Sequence, residues 1–366
     1  MTEQLLRGAE KAAFYLRSLY KQYGYLPFKM GKFEEYDLYV RNKDFLVSDN
    51  VITFNDTDGR LLALKPDVTL SIIKNSSYER GCKQKVYYNE NVYRVSHKTH
   101  RFKEIMQTGL ECVGDTDILD TVEAIDLATK SLALVSLDFV IDVSHLGILS
   151  RILGAACQKS GFIKEATGFI AEKNKHEIEA LCGRYSVDSE HTEIIKGLAD
   201  TYGSIPEVLK RLEPVCLRLG IEEQYTEFKS LCALLSDLEY AEKIRLDFSV
   251  VNDMSYYNGV VFKGFLRGIP EGVLSGGEYG TLVARMGKTA GGAVGFAIYL
   301  DMLEELEPPY CEYDVDVLVI YSEDCDMNKI MAVKNKLTAE GKSVSLQKAV
   351  PEKLRYKEVI KLDGKL

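Results

Sequence analysis

Three features that would assign the chain to a particular class of protein are missing from its sequence. No apolar run approaches the roughly 20 residues needed to cross a bilayer, and Met1–Leu5 shows no basic segment followed by an apolar one. The eight cysteines form no C-x-x-C pair, and the five histidines are dispersed. We therefore predict a cytoplasmic protein without a membrane span, a secretory signal, a disulfide framework or a metal site.

An excess of positive charge is missing as well. The net charge is −9 over 366 residues, whereas a protein that holds a nucleic-acid backbone usually presents a basic surface, because phosphate contacts dominate that affinity. We therefore do not expect nucleic-acid binding. The hydrophobic content of 46% and the charged content of 28% are ordinary for a globular chain that buries a core, and the length allows about two or three domains.

A hairpin with a polar face is the most informative stretch of the sequence. β-Branched and aromatic residues predict two strands, 86–95 and 106–113, joined by the loop 96–103. The two-residue period places Gln107 and Glu111 on one face of the second strand, and the loop is rich in His, Lys and Arg. A basic loop beside such a face indicates a pocket for a small molecule that carries both an anionic group and an amine.

This hairpin resembles motif 2 of the class II aminoacyl-tRNA synthetases, and that of histidyl-tRNA synthetase in particular. In that family an Arg ends the first strand, an Arg-aromatic-Arg-Glu run closes the loop, and a His-Gln…Gly…Glu run forms the second strand. The corresponding residues here are Arg94, then Arg101-Phe102-Lys103-Glu104, then Met106-Gln107-Thr108-Gly109-Leu110-Glu111. The order and spacing agree throughout.

Two further segments resemble the parts of that family that hold histidine. Lys65–Thr69 is similar to an Arg-Pro-Glu-x-Thr run, which implies that Asp67 and Thr69 bind the α-amino group; Asp67 equally fits the first turn of a helix that begins after a proline. Residues 245–265 resemble the histidine-specific signature. The residues that match it are Val251, Tyr256, Tyr257 and Gly259. The resemblance implies that Tyr256 and Tyr257 line the imidazole pocket, opposite Glu111.

The resemblance also implies the architecture. We expect an α+β fold with a class II aminoacyl-tRNA synthetase-like antiparallel sheet flanked by helices in residues 1–307. A helical insertion is predicted at about 145–243, and a small truncated α/β domain, similar to the start of an anticodon-binding domain, at 308–366. Residues 25–37 correspond to motif 1, which builds the dimer interface in the family, so we expect a homodimer.

The cations that an active synthetase needs at the α-phosphate are largely replaced. Residues 275–282 resemble the glycine-rich strand of the family and residues 291–298 open motif 3, but their arginine positions hold Glu278 and Met302. The arginine of the histidine signature is Asn252. Loss of one group aimed at a transition-state charge costs ~2.7–4 kcal/mol. We therefore predict that aminoacylation is lost and that the chain has no catalytic residue.

The groups that face histidine are all retained. They are Asp67, Thr69, Gln107, Glu111, Tyr256 and Tyr257. Arg94 and Arg101 remain as a residual anion or nucleotide site. This pattern is similar to the regulatory subunits of ATP phosphoribosyltransferase, synthetase paralogues that partner a short-form catalytic subunit in histidine biosynthesis. It implies an allosteric, non-catalytic subunit that binds histidine and that catalytic subunit, acts as a homodimer within a hetero-oligomer, and needs no cofactor.

Two alternatives remain open at this point. One is a divergent but active histidyl-tRNA synthetase, which ATP- and histidine-dependent pyrophosphate exchange would reveal. The other is a synthetase-like binding or scaffold module without a histidine site, which a small apolar pocket in place of the polar groups would favour.

Overall fold

One mixed sheet runs through the larger part of the computed structural model, which describes residues 8–43, 51–95, 101–251, 256–288, 291–303 and 313–362. The chain divides into two compact units, residues 1–306 and 307–366. In spatial order, the strands of the sheet within the described residues are β1 (Leu26–Pro27), β5 (Lys83–Val95), β6 (Phe102–Gly114), β12 (Gly292–Tyr299), β11 (Leu274–Glu278), β10 (Val260–Leu266), β7 (Phe139–His145), β9 (Ile244–Asp247) and β8 (Tyr202–Gly203).

The predicted α+β class II synthetase-like fold is confirmed, but the sheet is not wholly antiparallel. Strand β1 pairs with β5 in parallel, and β7 pairs with β9 in parallel. The second parallel pair has a clear origin, because the chain leaves β7, passes through the helical insertion and returns as a crossover connection. No helix in the described ranges is long and apolar enough to cross a membrane.

The helical insertion between β7 and β9 consists of short helices. They are α5 (Leu146–Ala156), α6 (Ser160–Ala171), α7 (Lys175–Arg184), α8 (Ser189–Ala199), α9 (Ile205–Arg218) and α10 (Glu222–Ser236). The residue pattern predicts a single helix over 164–182, and this is wrong. Lys173 takes a left-handed conformation, with φ of 53°, and the Asn174 side chain accepts the Glu177 N–H at 3.2 Å, which starts a new helix.

The two faces of the sheet contribute to two different cores. The first core lies against α1 (Gly8–Gln22), α4 (Ile118–Ala133) and the insertion, and it includes Leu110 and Cys112 of β6. The second core includes Val113 of β6, Val86 and Tyr88 of β5, and also Tyr256 and Tyr279. Because strand residues alternate between faces, the odd-numbered residues of β6 from 107 to 113 all lie on the face of the second core.

A small three-stranded antiparallel sheet and two short helices accompany the second core. The elements are β2 (Phe33–Glu35), α2 (Tyr36–Arg41), β3 (Thr53–Asn55), β4 (Leu61–Leu64) and α3 (Thr69–Asn75). Asp58-Gly59 between apolar alternations predicts a hairpin. This is confirmed, since β3 pairs with β4 and Gly59 has φ of 85° in the turn.

The motif 2 hairpin extends further than its apolar residues predict. Strand β6 begins at Phe102 rather than Met106, and its ladder with β5 runs to the Val95–Phe102 pair. Polar side chains support this end of the ladder, since Tyr93 Oη donates to Glu104 across the strands at 3.0 Å. An apolar pattern cannot show such a polar extension.

The smaller unit is a parallel α/β arrangement. Strand β13 (Val315–Tyr321) lies between β14 (Val344–Gln347) and β15 (Tyr356–Leu362), with helix α13 (Met327–Ala339) between β13 and β14 in sequence. The apolar run 315–321 and the helical pattern over 327–339 predict β13 and α13 with these bounds, whereas no strand is predicted at β15. Two further α-helices of the larger unit within the described ranges are α11 (Gly280–Arg285) and α12 (Leu300–Leu303), and α12 follows β12 as expected of motif 3. Residues 304–309, which are acidic and end in two prolines, predict a linker, and they lie outside the described residues.

Candidate functional site

Glycines on neighbouring strands leave room for the site. Gly295 of β12 lies opposite Glu111 of β6, and Gly277 of β11 lies opposite Gly295. A Cβ atom at Gly295 would lie 1.8 Å from Glu111 Oε2, and one at Gly277 would lie 2.8 Å from Tyr257 Cδ1. Larger residues would therefore collide with the groups that the sequence predicts to hold histidine.

The buried carboxylate of Glu111 is the centre of a hydrogen-bond network. Thr69 Oγ1 donates to Glu111 Oε1 at 2.7 Å, and Tyr279 Oη donates to Glu111 Oε2. The hydroxyls of Thr69 and Tyr256 are hydrogen-bonded as well. Burial raises the pKa of Glu111 to about 8, although both donors oppose the change, and the charge of Asp67 raises it further. Ionised Glu111 is therefore costly without a ligand.

Asp67 is the second buried carboxylate of the site. It precedes α3 rather than lying in its first turn, and its Oδ1 accepts the Leu70 N–H at 2.9 Å. Burial raises the pKa of Asp67, while the Arg94 guanidinium, whose Nη2 lies 3.8 Å from Asp67 Oδ2, opposes the change. Asp67 thus caps the start of α3 and also lies in the candidate site.

The two arginines predicted as a residual anion site have different surroundings. Arg94 lies on β5, and its Nε donates to the Pro66 carbonyl at 2.7 Å. It therefore braces the segment that carries Asp67. Arg101 is exposed, immediately before the start of β6.

Gln107 supplies an unused donor on the same sheet face. Its side chain is only 2% exposed, and its Nε2 has no hydrogen-bond partner among the described residues. It lies between Glu90 of β5 and Tyr299 of β12 in the strand register. A buried polar group without a partner costs ~1–3 kcal/mol, so this amide is poised to donate to a ligand.

Aromatic rings line the same region. The ring centroid of Tyr256 lies 4.6 Å from that of Tyr257 and 5.8 Å from that of Tyr279. Burial raises the hydroxyl pKa of all three tyrosines well above 10, so they remain neutral donors. Two carboxylates, one adjacent guanidinium and several aromatic faces together favour a ligand with a cationic or N–H-rich group.

The structure brings together Asp67, Thr69, Glu111, Tyr256 and Tyr257, with Gln107 on the same sheet face. Two contributing residues were not predicted. Tyr279 occupies the Tyr position of the glycine-rich motif, which could have identified it. Tyr88 lies opposite Gly109, where a Cβ atom would come within 2.7 Å of its hydroxyl, and the two-residue period could have placed it.

One replaced cation position, Glu278, does not face the site. Glu278 follows Gly277, so alternation directs it to the other face of β11. Its carboxylate there accepts Thr121 Oγ1 at 2.5 Å and the Val260 N–H at 2.8 Å. Met302 is partly buried against the first core, and Asn252 lies outside the described residues.

Comparisons with known proteins agree with this architecture. A family model for histidyl-tRNA synthetase matches residues 2–303. The ATP phosphoribosyltransferase regulatory subunit of Clostridium acetobutylicum is 27% identical over 93% of this chain and 86% of its own length. The one from Oceanobacillus iheyensis is 25% identical over 95% and 87%.

Two solved structures share the fold. An ATP phosphoribosyltransferase regulatory subunit/histidyl-tRNA synthetase from Bacillus halodurans C has a TM-score of 0.79 at 21% identity, over 98% of this chain and 94% of that one. A chain of the ATP phosphoribosyl transferase (HisG:HisZ) complex from Thermotoga maritima has a TM-score of 0.61 at 21% identity, over 79% and 96%. Because the family model covers well over half of its residues, the chain belongs to the histidyl-tRNA synthetase family, and within it resembles the regulatory subunits of ATP phosphoribosyltransferase.

Proposed function

We propose that the chain is a non-catalytic regulatory subunit of ATP phosphoribosyltransferase that binds histidine and controls the short catalytic subunit. The names of its curated relatives support the partnership. The observation that carries the ligand is the pair of buried carboxylates, Asp67 and Glu111, with Arg94 as the guanidinium beside them. Buried carboxyl groups of this kind are costly to ionise unless a partner compensates the charge.

Free histidine has the groups that this arrangement lacks. In the proposed complex its ammonium lies against Asp67 and Thr69, and its imidazole lies between Glu111 and Tyr257. A carboxylate has about four lone-pair sites, so Glu111 can accept an imidazole N–H in addition to its donors Thr69 and Tyr279. The unpartnered Nε2 of Gln107 is the donor available for the remaining polar group of the ligand.

Loss of adenylate chemistry is supported by how the nearby cations are paired. Lys103 Nζ lies 2.5 Å from Asp301, and Lys65 Nζ lies 2.5 Å from Glu90. Arg94 donates to the backbone beside Asp67. A triphosphate would have to break these contacts, so the site can hold an amino acid without activating it. The control that we propose is allosteric, with histidine binding coupled to the catalytic subunit by about 1–3 kcal/mol.

We also propose a homodimer, with the synthetase-like core at 1–307 and a truncated anticodon-binding-like domain at 308–366. Exposed apolar residues of the small sheet and its helix support self-association. They are Phe33, Val40 and Leu61, which are 52%, 50% and 45% exposed. Apolar patches of this kind often mark protein interfaces.

Isothermal titration of the purified chain with histidine, and then with ATP in the presence of histidine, tests the function. Histidine binding without ATP binding, together with co-purification of the short catalytic subunit, is expected. Binding of both ligands, together with pyrophosphate exchange, would instead indicate an active histidyl-tRNA synthetase. Failure to bind histidine, alone or in the complex, would contradict the proposal.

A further inference from the structure

A cleft with a volume of about 550 Å³ lies at one end of the sheet. It is located where β7 and β11 end and β10 and β12 begin, and it is bounded by helix α10 and by the start of α4. Its wall is partly bare backbone, since Gly280 and Gly292 line it and a Cβ atom at Gly280 would lie 3.4 Å from Gly292 Cα.

The charges around this cleft have one sign. Asp117, Glu227 and Glu278 line it, and no Lys or Arg is among the described residues that do so. Within the described ranges none of these three acids forms an ion pair with a cationic side chain. Glu278 occupies the position at which the family motif has an arginine, so the cleft has an acid where a cation is expected.

His145, which lies in the wall of the cleft, does not offset this negative charge. His145 Nδ1 accepts the Ile148 N–H at 3.2 Å, so a neutral ring carries its proton on Nε2. Burial lowers the pKa of His145 to about 4. Its ring packs edge-on against Phe228 at 5.2 Å between centroids. The residue therefore caps α5 and supports the wall as a neutral group.

Apolar side chains continue from the cleft onto the surface. Ile118, Phe228 and Leu231 line it. Leu119, the neighbour of Ile118, is 61% exposed, and Leu234, one turn further along α10, is 37% exposed. A protein segment buries such a surface, whereas a small cation leaves it in water. The combination of exposed apolar groups with an acidic rim is complementary to a segment that has both apolar and basic residues.

We propose that this cleft is the docking site for a segment of the short catalytic subunit that bears lysine or arginine beside apolar residues. The identity of the partner rests on the proposed function, and the chemistry of its segment rests on the cleft. Acids at the rim steer a basic partner and set its orientation, so binding should weaken as salt screens them.

A charge reversal at the rim tests the docking site. Glu227 is exposed in the middle of α10, so Glu227→Lys leaves the fold intact; Glu239→Lys makes the same change in charge beyond the end of α10, at an exposed position outside the cleft. Titration calorimetry against the purified catalytic subunit should show about a tenfold loss of affinity at low salt for Glu227→Lys and no loss for Glu239→Lys. Histidine titration should give the same affinity for both variants.

The outcomes separate the two proposals. Equal affinity of Glu227→Lys and the unchanged chain for the catalytic subunit would overturn the docking site while leaving the proposed function in place. If the unchanged chain binds no catalytic subunit, the proposed function and the docking site both fail. If Glu227→Lys instead disrupts self-association, measured by analytical ultracentrifugation, with the catalytic subunit still bound, the cleft belongs to a second copy of the chain and the proposal is wrong.

Discussion

Replacing Glu111 by Gln should change how stability depends on pH. Burial raises the pKa of Glu111 from 4.5 to about 8, so between these values the folded chain holds a proton on this group that the unfolded chain has released. The free energy of unfolding therefore falls as pH rises through this window. A pKa difference of this size corresponds to a loss of free energy of unfolding on the order of 5 kcal/mol at the upper end of the window. Glu111→Gln removes the titrating group and with it this loss.

Denaturant unfolding at several pH values between 5 and about 8.5 measures the effect. We expect the unchanged chain to lose stability across this range and Glu111→Gln to lose much less, because the neutral amide can still accept a hydrogen bond from Thr69. The same variant should bind histidine about ten- to a hundredfold more weakly, since a hydrogen bond to a charged group contributes ~1.5–3 kcal/mol.

Asp142→Asn provides a matched control on a different strand. Burial, with a further contribution from the charge of Asp247, raises the pKa of Asp142 to about 6, so this variant should remove only the loss of stability below that pH and leave histidine affinity unchanged. Parallel pH profiles for Glu111→Gln and the unchanged chain would refute the reasoning about the buried carboxylate.

Three further variants test other parts of the site. Gly295→Ala places a Cβ atom 1.8 Å from the Glu111 carboxylate, so it should abolish histidine binding in calorimetry and lower the free energy of unfolding by ~1–3 kcal/mol through overpacking. The control Gly168→Ala has open space around it and should stabilise its helix by ~0.5–1 kcal/mol. Equal histidine binding by the two variants would contradict the argument that Gly295 makes room for the site. Lys65→Met leaves Glu90 without its cation and should lower the free energy of unfolding in urea by ~3–5 kcal/mol. Equal instability of the double variant Lys65→Met/Glu90→Leu would contradict this ion-pair argument. Gln107→Leu should raise the melting temperature of the free protein, because it removes an unpartnered amide, and should weaken histidine binding; a lower melting temperature would count against this.

The fold was largely predictable where its patterns are local. The bounds of β13 and α13 follow directly from an apolar run and a helical period. The two-residue period in β6 placed Gln107 and Glu111 on one face, and both lie on the face of the second core. The parallel pairing of β7 and β9 has no local pattern, because the strands are separated by the whole insertion.

Residue contacts within the site were less predictable, for different physical reasons. The match of Glu278 to an arginine position does not show on which face of β11 its side chain lies. Because strand residues alternate, Glu278 lies on the face opposite to that of Gly277. The break before α7 depends on Lys173 in a left-handed conformation, which the sequence rarely indicates unless glycine or asparagine is present. Tyr279 reaches Glu111 only because Gly295 leaves the space between their strands open.

Several departures from ordinary strand chemistry occur together at this one place. Gly277 and Gly295 weaken strand interiors. Among the described residues, Glu111 is a buried acid that forms no ion pair, and Gln107 has a side-chain donor without a partner. Each of these features lowers the stability of the free protein, and their combination is not expected at a place that binds no ligand. A ligand that supplies N–H donors and an acceptor offsets these losses of stability when it binds. The instability of the free site and its affinity for the ligand therefore have the same physical origin.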